Sequence, residues 1–336
     1  MDFWEQLLDS VPESTFLEHN ACPACKTDLE LVTESNSDQV ITRLGHTFLK
    51  RCLSCNLTYS SPRLSSVIRD GMYRLNPGAM TEALNDILEP LMAQRVAGML
   101  REMFPAEGNG FNSFFEVGSG WGHFLAASAK YFKKVSGVEF SREQAAYSRS
   151  RFGLEISEED IFLHNQGLNY DVIAAWELLE HLPNPRQFLN WAHSQLNSGG
   201  QLVLSTPNYG SLYRRTLGTH WFYFIPSQHL TYFSPQTLKA LLQSVGFTEI
   251  KIFTSGRSLF RERWNSHNQI DLKLNEKQQW IQALRIREDI EQKRDTTVLD
   301  RRGVMMHVWH GMIWRLINPL VTRGLGDQMR VYARKA

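Results

Sequence analysis

The chain has 336 residues, 42% of them hydrophobic and 21% charged, with a net charge of +1 at pH 7. That length admits one large domain plus a smaller module, and the composition is that of an ordinary soluble globular protein. The near-neutral balance leaves no global footprint for nucleic acid or an anionic membrane surface.

Residues 1–20 carry Asp2, Glu5, Asp9, Glu13 and Glu18 among apolar residues, without the basic start and apolar core of a secretory signal. No run of about eighteen uninterrupted apolar residues is present, so the expectation is a cytoplasmic protein with no transmembrane segment. The four cysteines are Cys22, Cys25, Cys52 and Cys55, two Cys-x-x-Cys knuckles separated by 26 residues. This spacing matches a four-cysteine zinc ribbon better than a disulfide framework. Four thiolates would complete a tetrahedral shell, so the metal is expected to be structural. Unmetallated thiols or a redox pair stay open as the alternative. Strand-like pieces fall at 29–32 and 39–43. Residues 1–60 hold nine acids against four bases, a balance that repels a phosphate backbone. The module, placed at 1–62 because Ser61-Pro62-Arg63 closes it, therefore reads as a packing or substrate-positioning unit.

Residues 63–110 read as a helical linker or lid, with Leu84, Ile87, Leu88, Leu91, Met92, Val96 and Leu100 at helical spacing. Pro90 should break that helix or start a new one. Strands are expected at 113–117, 134–140, 170–176 and 200–205, with helices at 121–132, 141–151 and 185–197 between them. That alternation predicts an α/β fold with a parallel sheet and right-handed crossovers. Ser234 and Pro235 then open a helix ending at Gly246, followed by strands at 248–254 and 329–333. Between these last two, 261–302 mix both charge signs around an apolar face usable for packing or oligomerisation. Residues 304–320 are richer in apolar groups, suited to core or dimer packing, or to peripheral contact with a membrane.

The strand Phe114-Phe115-Glu116-Val117 runs into Gly118-Ser119-Gly120-Trp121-Gly122, and a second strand ends at Glu139. Alternating glycines let the backbone approach a ligand, and a strand-end carboxylate suits ribose hydroxyls. A dinucleotide fingerprint would place its third glycine at position 123, which is His123. The pattern Glu116-x-Gly118-x-Gly120-x-Gly122 instead resembles motif I of class I S-adenosylmethionine-dependent methyltransferases. Leu179-Glu180-His181-Leu182-Pro183-Asn184-Pro185 and Thr206-Pro207-Asn208 resemble the ubiquinone-biosynthesis type of that family. Gly218-Thr219-His220-Trp221 and the stretch 226–234 look like the substrate-side loop of a bacterial branch. That branch carries an N-terminal zinc-binding motif and often serves sugar or surface-glycan pathways.

The resemblance implies a Rossmann-like class I methyltransferase sheet, mostly parallel with an antiparallel last strand, formed by 111–257 and 326–336. An N-terminal zinc ribbon precedes it, and a helical insertion at 258–325 interrupts it before the last strand. It also implies that Glu116, Gly118, Gly120 and Gly122 shape the methionine pocket of S-adenosylmethionine. Glu139 takes the ribose, Asp160 stands near the adenine amino group, and Trp176 and Glu177 lie beside the cofactor. For the acceptor, a neutral histidine is the natural base near pH 7, and His181 and His229 are the candidates. Glu180 could orient an imidazole or bind an acceptor hydroxyl, and Tyr232 is the next residue to consider. Each histidine has a plainer role available, capping a loop or packing within one. The function expected is methyl transfer to oxygen or carbon of a small molecule, a sugar or glycan precursor such as a nucleotide sugar. The alternatives are an RNA methyltransferase recruiting through its zinc ribbon, and a non-catalytic zinc-stabilised cofactor-binding protein.

Overall fold

The computed structural model describes residues 16–27, 30–36, 47–75, 82–103, 111–163, 169–218, 221–255 and 324–336. The expected strand at 39–43 and nearly all of the 258–325 insertion, with its segments 261–302 and 304–320, lie outside them.

The N-terminal part is built of short strands: β1 (Leu17–Glu18), β2 (Glu30–Asn36), β3 (Thr47–Cys52), β4 (Thr58–Ser61) and β5 (Arg63–Leu64). Two helices follow, α1 (Ser66–Leu75) and α2 (Glu82–Met103). Pro90 neither breaks nor starts a helix, contrary to expectation: α2 runs through it. The proline sits on the exposed side, so its missing N–H falls towards solvent. Meanwhile Val96, Met99 and Met103 are buried with Phe114 and Phe124, and this packing holds the helix.

The alternating core comes next: β6 (Ser113–Val117), α3 (His123–Ser128), β7 (Lys134–Val138), α4 (Arg142–Phe152), β8 (Glu155–Ser157) and β9 (Tyr170–Trp176). A single turn of 3-10 helix, Leu179–His181, leads to α5 (Pro185–Gln195) and β10 (Leu196–Pro207). Then come α6 (Leu212–Leu217), β11 (Thr231–Tyr232), α7 (Pro235–Val245), β12 (Phe247–Ser255) and β13 (Gln328–Lys335). The helix starts are legible in local chemistry. Ser141, Asn184 and Ser234 each accept a backbone N–H at an N-cap, and Ser234 forms a capping box with Thr237.

Seven strands form one sheet in the order β12-β13-β10-β9-β6-β7-β8. All neighbours are parallel except β13, which runs antiparallel to both β10 and β12. This is the expected Rossmann-like sheet with an antiparallel last strand. The strand order reverses between β6 and β9, so their C-terminal ends open onto the switch point where such sheets bind ligands.

A second, antiparallel sheet has the order β11-β4-β3-β2. Its strand β11 comes from far along the chain, with Thr231 opposite Tyr59 and Tyr232 opposite Thr58. The cysteine module also shares one hydrophobic core with the main sheet. Cys22, Cys52, Leu57 and Tyr59 are buried in the same cluster as Phe115, Leu179, Phe188 and Phe233. No helix among the described residues is long and apolar enough to cross a membrane.

Candidate functional site

The loop after β6 turns on three left-handed glycines, Gly118, Gly120 and Gly122, with φ of 70°, 55° and 81°. Their surroundings differ. A Cβ at Gly122 would lie 2.6 Å from Ser148 Oγ on α4, and one at Gly118 would lie 3.2 Å from Leu178 Cδ1. A Cβ at Gly120 would meet nothing within 4 Å. Gly122 thus lets helix and loop approach, whereas Gly120 faces the open side of the loop. His123, where a dinucleotide site would keep glycine, begins α3 and reaches Asn85 Oδ1 of α2 at 2.8 Å.

Glu139 follows β7 and spans this loop. Its Oε2 accepts from Gly120 N at 2.7 Å and its Oε1 from Ser141 N at 2.8 Å. A carboxylate oxygen has two lone pairs, so each keeps one for a ligand hydroxyl. Burial raises the Glu139 pKa, and the backbone N–H bonds pull it the other way. Glu116 is fully enclosed; burial, helped by the nearby Glu139 charge, pushes its carboxyl well up. Glu116 Oε2 and the Trp176 indole Nε1 are buried without a hydrogen-bond partner among the described residues. Asp160 lies three residues beyond β8, exposed, where its Oδ1 accepts from Phe162 N at 2.9 Å. The open Gly120, the bridging Glu139 and the unpartnered Glu116 oxygen fit an amino-acid nucleoside cofactor lying across the strand ends.

The end of β9 supplies the neighbouring wall. The Trp176 ring lies 4.5 Å from that of Phe124. Glu177 adopts φ 47°, an uncommon conformation for a side-chain-bearing residue and one that clusters at functional sites. Its N–H donates to Ser205 O at 3.0 Å, and its Oε1 accepts from Ser205 Oγ at 2.6 Å. Glu180, in the next turn, is buried; its Oε2 accepts from Thr206 Oγ1 at 2.9 Å. Burial pushes this carboxyl well up, and the Glu177 charge adds to it. Its other oxygen lies 4.0 Å from His181 Nε2.

His181 and His229 come together with ring centroids 4.8 Å apart, although 47 residues separate them in the chain. His181 Nδ1 reaches Gln228 O at 3.1 Å and His229 Nδ1 reaches Tyr223 O at 2.7 Å. A carbonyl only accepts, so each Nδ1 carries the hydrogen and each Nε2 keeps a lone pair. Burial pushes His181 down to about 4 and His229 to about 3, so both imidazoles are neutral at pH 7. The Tyr232 ring lies 6.4 Å from His229 and 5.4 Å from Tyr209. Tyr232, Trp221, Tyr223 and Phe224 are buried together in one aromatic cluster. Arg214 stacks over Tyr209 at 4.6 Å and Phe224 at 5.4 Å. Sequence reasoning gave no role to Ser205, Thr206, Tyr223 or Arg214. For the first two the signal was present: polar residues closing a buried strand at the ligand-binding edge.

The four cysteines converge, with all Sγ atoms within 4.8 Å of one another and none in a disulfide. Cys22 and Cys55 lie 3.6 Å apart, and Cys25 and Cys52 3.5 Å apart. Tetrahedral zinc with Zn–S of about 2.3 Å requires S···S of about 3.8 Å, so the set fits that ion. The two knuckles repeat one backbone pattern. Cys22 N–H donates to Thr27 O and Lys26 N–H to Cys22 O; Cys52 N–H donates to Leu57 O and Asn56 N–H to Cys52 O. Lys26 and Asn56 both take the left-handed conformation, φ 62° and 59°. Glu180, His181 and His229 form a second set whose ligand atoms lie within 4.8 Å of one another.

Residues 85–252 match the family described as a methyltransferase domain. The ubiquinone biosynthesis O-methyltransferase of Coxiella burnetii is 29% identical over 99 residues, 28% of this chain and 42% of that protein. The enzyme of the same name from Idiomarina loihiensis is 25% identical over 150 residues, 41% of this chain and 62% of its own length. The chain thus matches less than two thirds of these curated relatives. The structure of Haemonchus contortus phosphoethanolamine N-methyltransferase 2 with S-adenosyl-L-methionine superposes with a TM-score of 0.50 at 12% identity. It covers 99% of this chain and 74% of that one, a likeness of fold. With the family match over the glycine loop, the strand order and the relatives in agreement, the chain belongs to the class I S-adenosylmethionine-dependent methyltransferases.

Proposed function

We propose that the protein moves the methyl group of S-adenosylmethionine to a hydroxyl or an acidic carbon of a sugar-containing small molecule, with His181 or His229 as the base. The observation that carries this reading is the meeting of two imidazoles, His229 buried and His181 half-buried, with ring centroids 4.8 Å apart beside the strand ends that would hold the cofactor. S-adenosylmethionine supplies an activated methyl carbon, so the chain must align the acceptor, exclude water and take up a proton. Glu116, Gly118, Gly120 and Gly122 would hold the methionine part, Glu139 the ribose and Asp160 the adenine amino group, with Trp176 and Glu177 closing the site. The Nδ1 bonds to Gln228 and Tyr223 leave Nε2 of each histidine as the proton acceptor. Glu180, held by Thr206, has its second oxygen 4.0 Å from His181 Nε2, where it would bind an acceptor hydroxyl beside that nitrogen.

A sugar acceptor is supported by the nearness of the Trp221, Tyr223 and Tyr232 cluster to His229, since aromatic rings combine apolar faces with polar edges. Arg214, buried against Tyr209 and donating to its hydroxyl at 3.0 Å, puts a positive charge beside this cluster that suits a phosphate-bearing acceptor. The cysteine set would hold one structural zinc, and its unpaired thiols fit a reducing compartment such as the cytoplasm. Labelled methyl transfer over a nucleotide-sugar panel, with an RNA pool as comparison, tests the reading. Label in RNA alone contradicts it, and so does cofactor binding without transfer to any acceptor.

A second reading of the same residues has its own observation. The ligand atoms of Glu180, His181 and His229 lie within 4.8 Å, so a divalent cation held there would acidify the acceptor hydroxyl in place of a base. Turnover that needs added magnesium or manganese, at constant zinc content, would favour this second route.

A further inference from the structure

The cysteine module touches both histidine-bearing segments. The second knuckle, 52–57, is the turn that joins β3 to β4, and the outer edge of β4 carries β11. Ser60, at the centre of β4, is completely buried. Its N–H donates to Leu230 O at 3.0 Å, and its Oγ donates to His229 O at 3.2 Å. From the opposite side, Leu230 N–H donates to Glu180 O at 2.8 Å. The dipeptide His229–Leu230 is therefore gripped between β4 and the turn that bears His181. The first knuckle sits against the other segment, where Arg186 Nε donates to Ala24 O, and Arg63 of β5 donates to Pro183 O at 3.0 Å beside it.

The cofactor loop is held by separate bonds. Gly118 and Ser119 N–H both donate to Val138 O, and Gly120 N–H to Glu139. The two halves of the site thus have different anchors.

We propose that Ser60 is a positioning residue, the link through which the four-cysteine module fixes the place of the His229 imidazole. The functional meaning rests on His229 being the base; the linkage itself does not. His229 is fixed by three bonds, its carbonyl on Ser60 Oγ, its N–H on Ile225 O at 2.7 Å and its Nδ1 on Tyr223 O, and only the first joins it to the cysteine module. Removing the Ser60 hydroxyl takes a donor from a buried carbonyl, and the segment opens more often. The ring then loses its fixed partner at Nδ1 and samples the other tautomer. Ser61, the next residue and equally buried, aims its hydroxyl at Asn20 O instead, at 3.4 Å. It is the natural control for a merely structural effect.

The test compares the full-length protein with Ser60→Ala and Ser61→Ala. Hydrogen exchange of residues 228–232 and long-range nitrogen–proton spectra of the histidine rings are the readouts. Ser60→Ala should exchange in 228–232 about tenfold faster and show a mixed tautomer at His229. Zinc content and affinity for S-adenosylhomocysteine should stay within twofold, and Ser61→Ala should behave as the parent protein. Unchanged exchange and tautomer in Ser60→Ala would overturn the proposal, as would the same change in both variants. Neither readout needs an acceptor, so this result is separate from the turnover result that decides whether His229 is the base.

Discussion

Gly120 and Glu139 are joined by a 2.7 Å hydrogen bond from the glycine N–H to Oε2, so the carboxylate that would bind the ribose also shapes the glycine loop. Glu139→Ala therefore removes both a ligand contact and a loop anchor. Bonds to a charged group contribute about 1.5–3 kcal/mol each, which predicts 10- to 100-fold weaker binding of S-adenosylhomocysteine. Calorimetric titration measures it. Gly120→Val should weaken binding as much, because its side chain would project from the open face of the loop. Unchanged affinity in both folded variants would remove these residues from the cofactor site.

The glycines should separate by their cost in stability. Alanine at Gly120 or Gly122 faces the same left-handed backbone penalty, about 1–2 kcal/mol. At Gly122 the new Cβ would also press on Ser148 Oγ, adding about 1–3 kcal/mol. Urea unfolding should rank Gly122→Ala below Gly120→Ala by at least about 1 kcal/mol. Equal stability would mean that the α4 contact is not what demands glycine there.

The sheet was readable because each element announces itself locally. Apolar runs such as Phe114-Phe115 end in glycines, and Ser234-Pro235 and Gly246 mark the ends of α7. The β3–β4 hairpin and its pairing with β11 were not readable. β11 has two residues, too few to show a period, and its partner Tyr59 lies 172 positions earlier. The same blindness hid the meeting of His181 with His229, since each was legible as a loop histidine and only the fold joins them. At Pro90 a sound local rule lost to tertiary packing of the remainder of α2.

Acid stability should report the paired imidazoles. Their folded pKa values, about 4 and about 3, lie below the ordinary 6.5, so between those limits the unfolded chain binds more protons. Their contribution is present above pH 6.5 and is lost as pH falls towards 4 and 3, on the order of 3 kcal/mol for His181 and about 5 kcal/mol for His229. Glu116, Glu139 and Glu180, raised by burial, act in the opposite direction and lose stability as pH rises. The comparison is therefore between the parent protein and His181→Gln or His229→Gln, which keep those carboxyls. Each variant should show a flatter fall in unfolding free energy from pH 7 to pH 4. Parallel curves would contradict rings that the fold keeps neutral.

Metal content tests the cysteine reading. Protein purified without added metal should carry close to one zinc per chain, and Cys22→Ser/Cys25→Ser should lose it. Because structural zinc contributes directly to folding, Tm should fall by about 5 °C or more. Elemental analysis that finds no zinc, or a Cys22–Cys25 disulfide under reducing conditions, would overturn the assignment.

The most direct test of the account follows labelled methyl from S-adenosylmethionine into a nucleotide-sugar panel, using the parent protein, His181→Gln and His229→Gln. A general base contributes about a hundredfold or more to the rate. One histidine variant should therefore lose at least that much kcat while affinity for S-adenosylhomocysteine stays within a fewfold. If both variants keep kcat within about tenfold of the parent, the paired histidines do not supply the base, and Glu180 and Tyr232 become the residues to test.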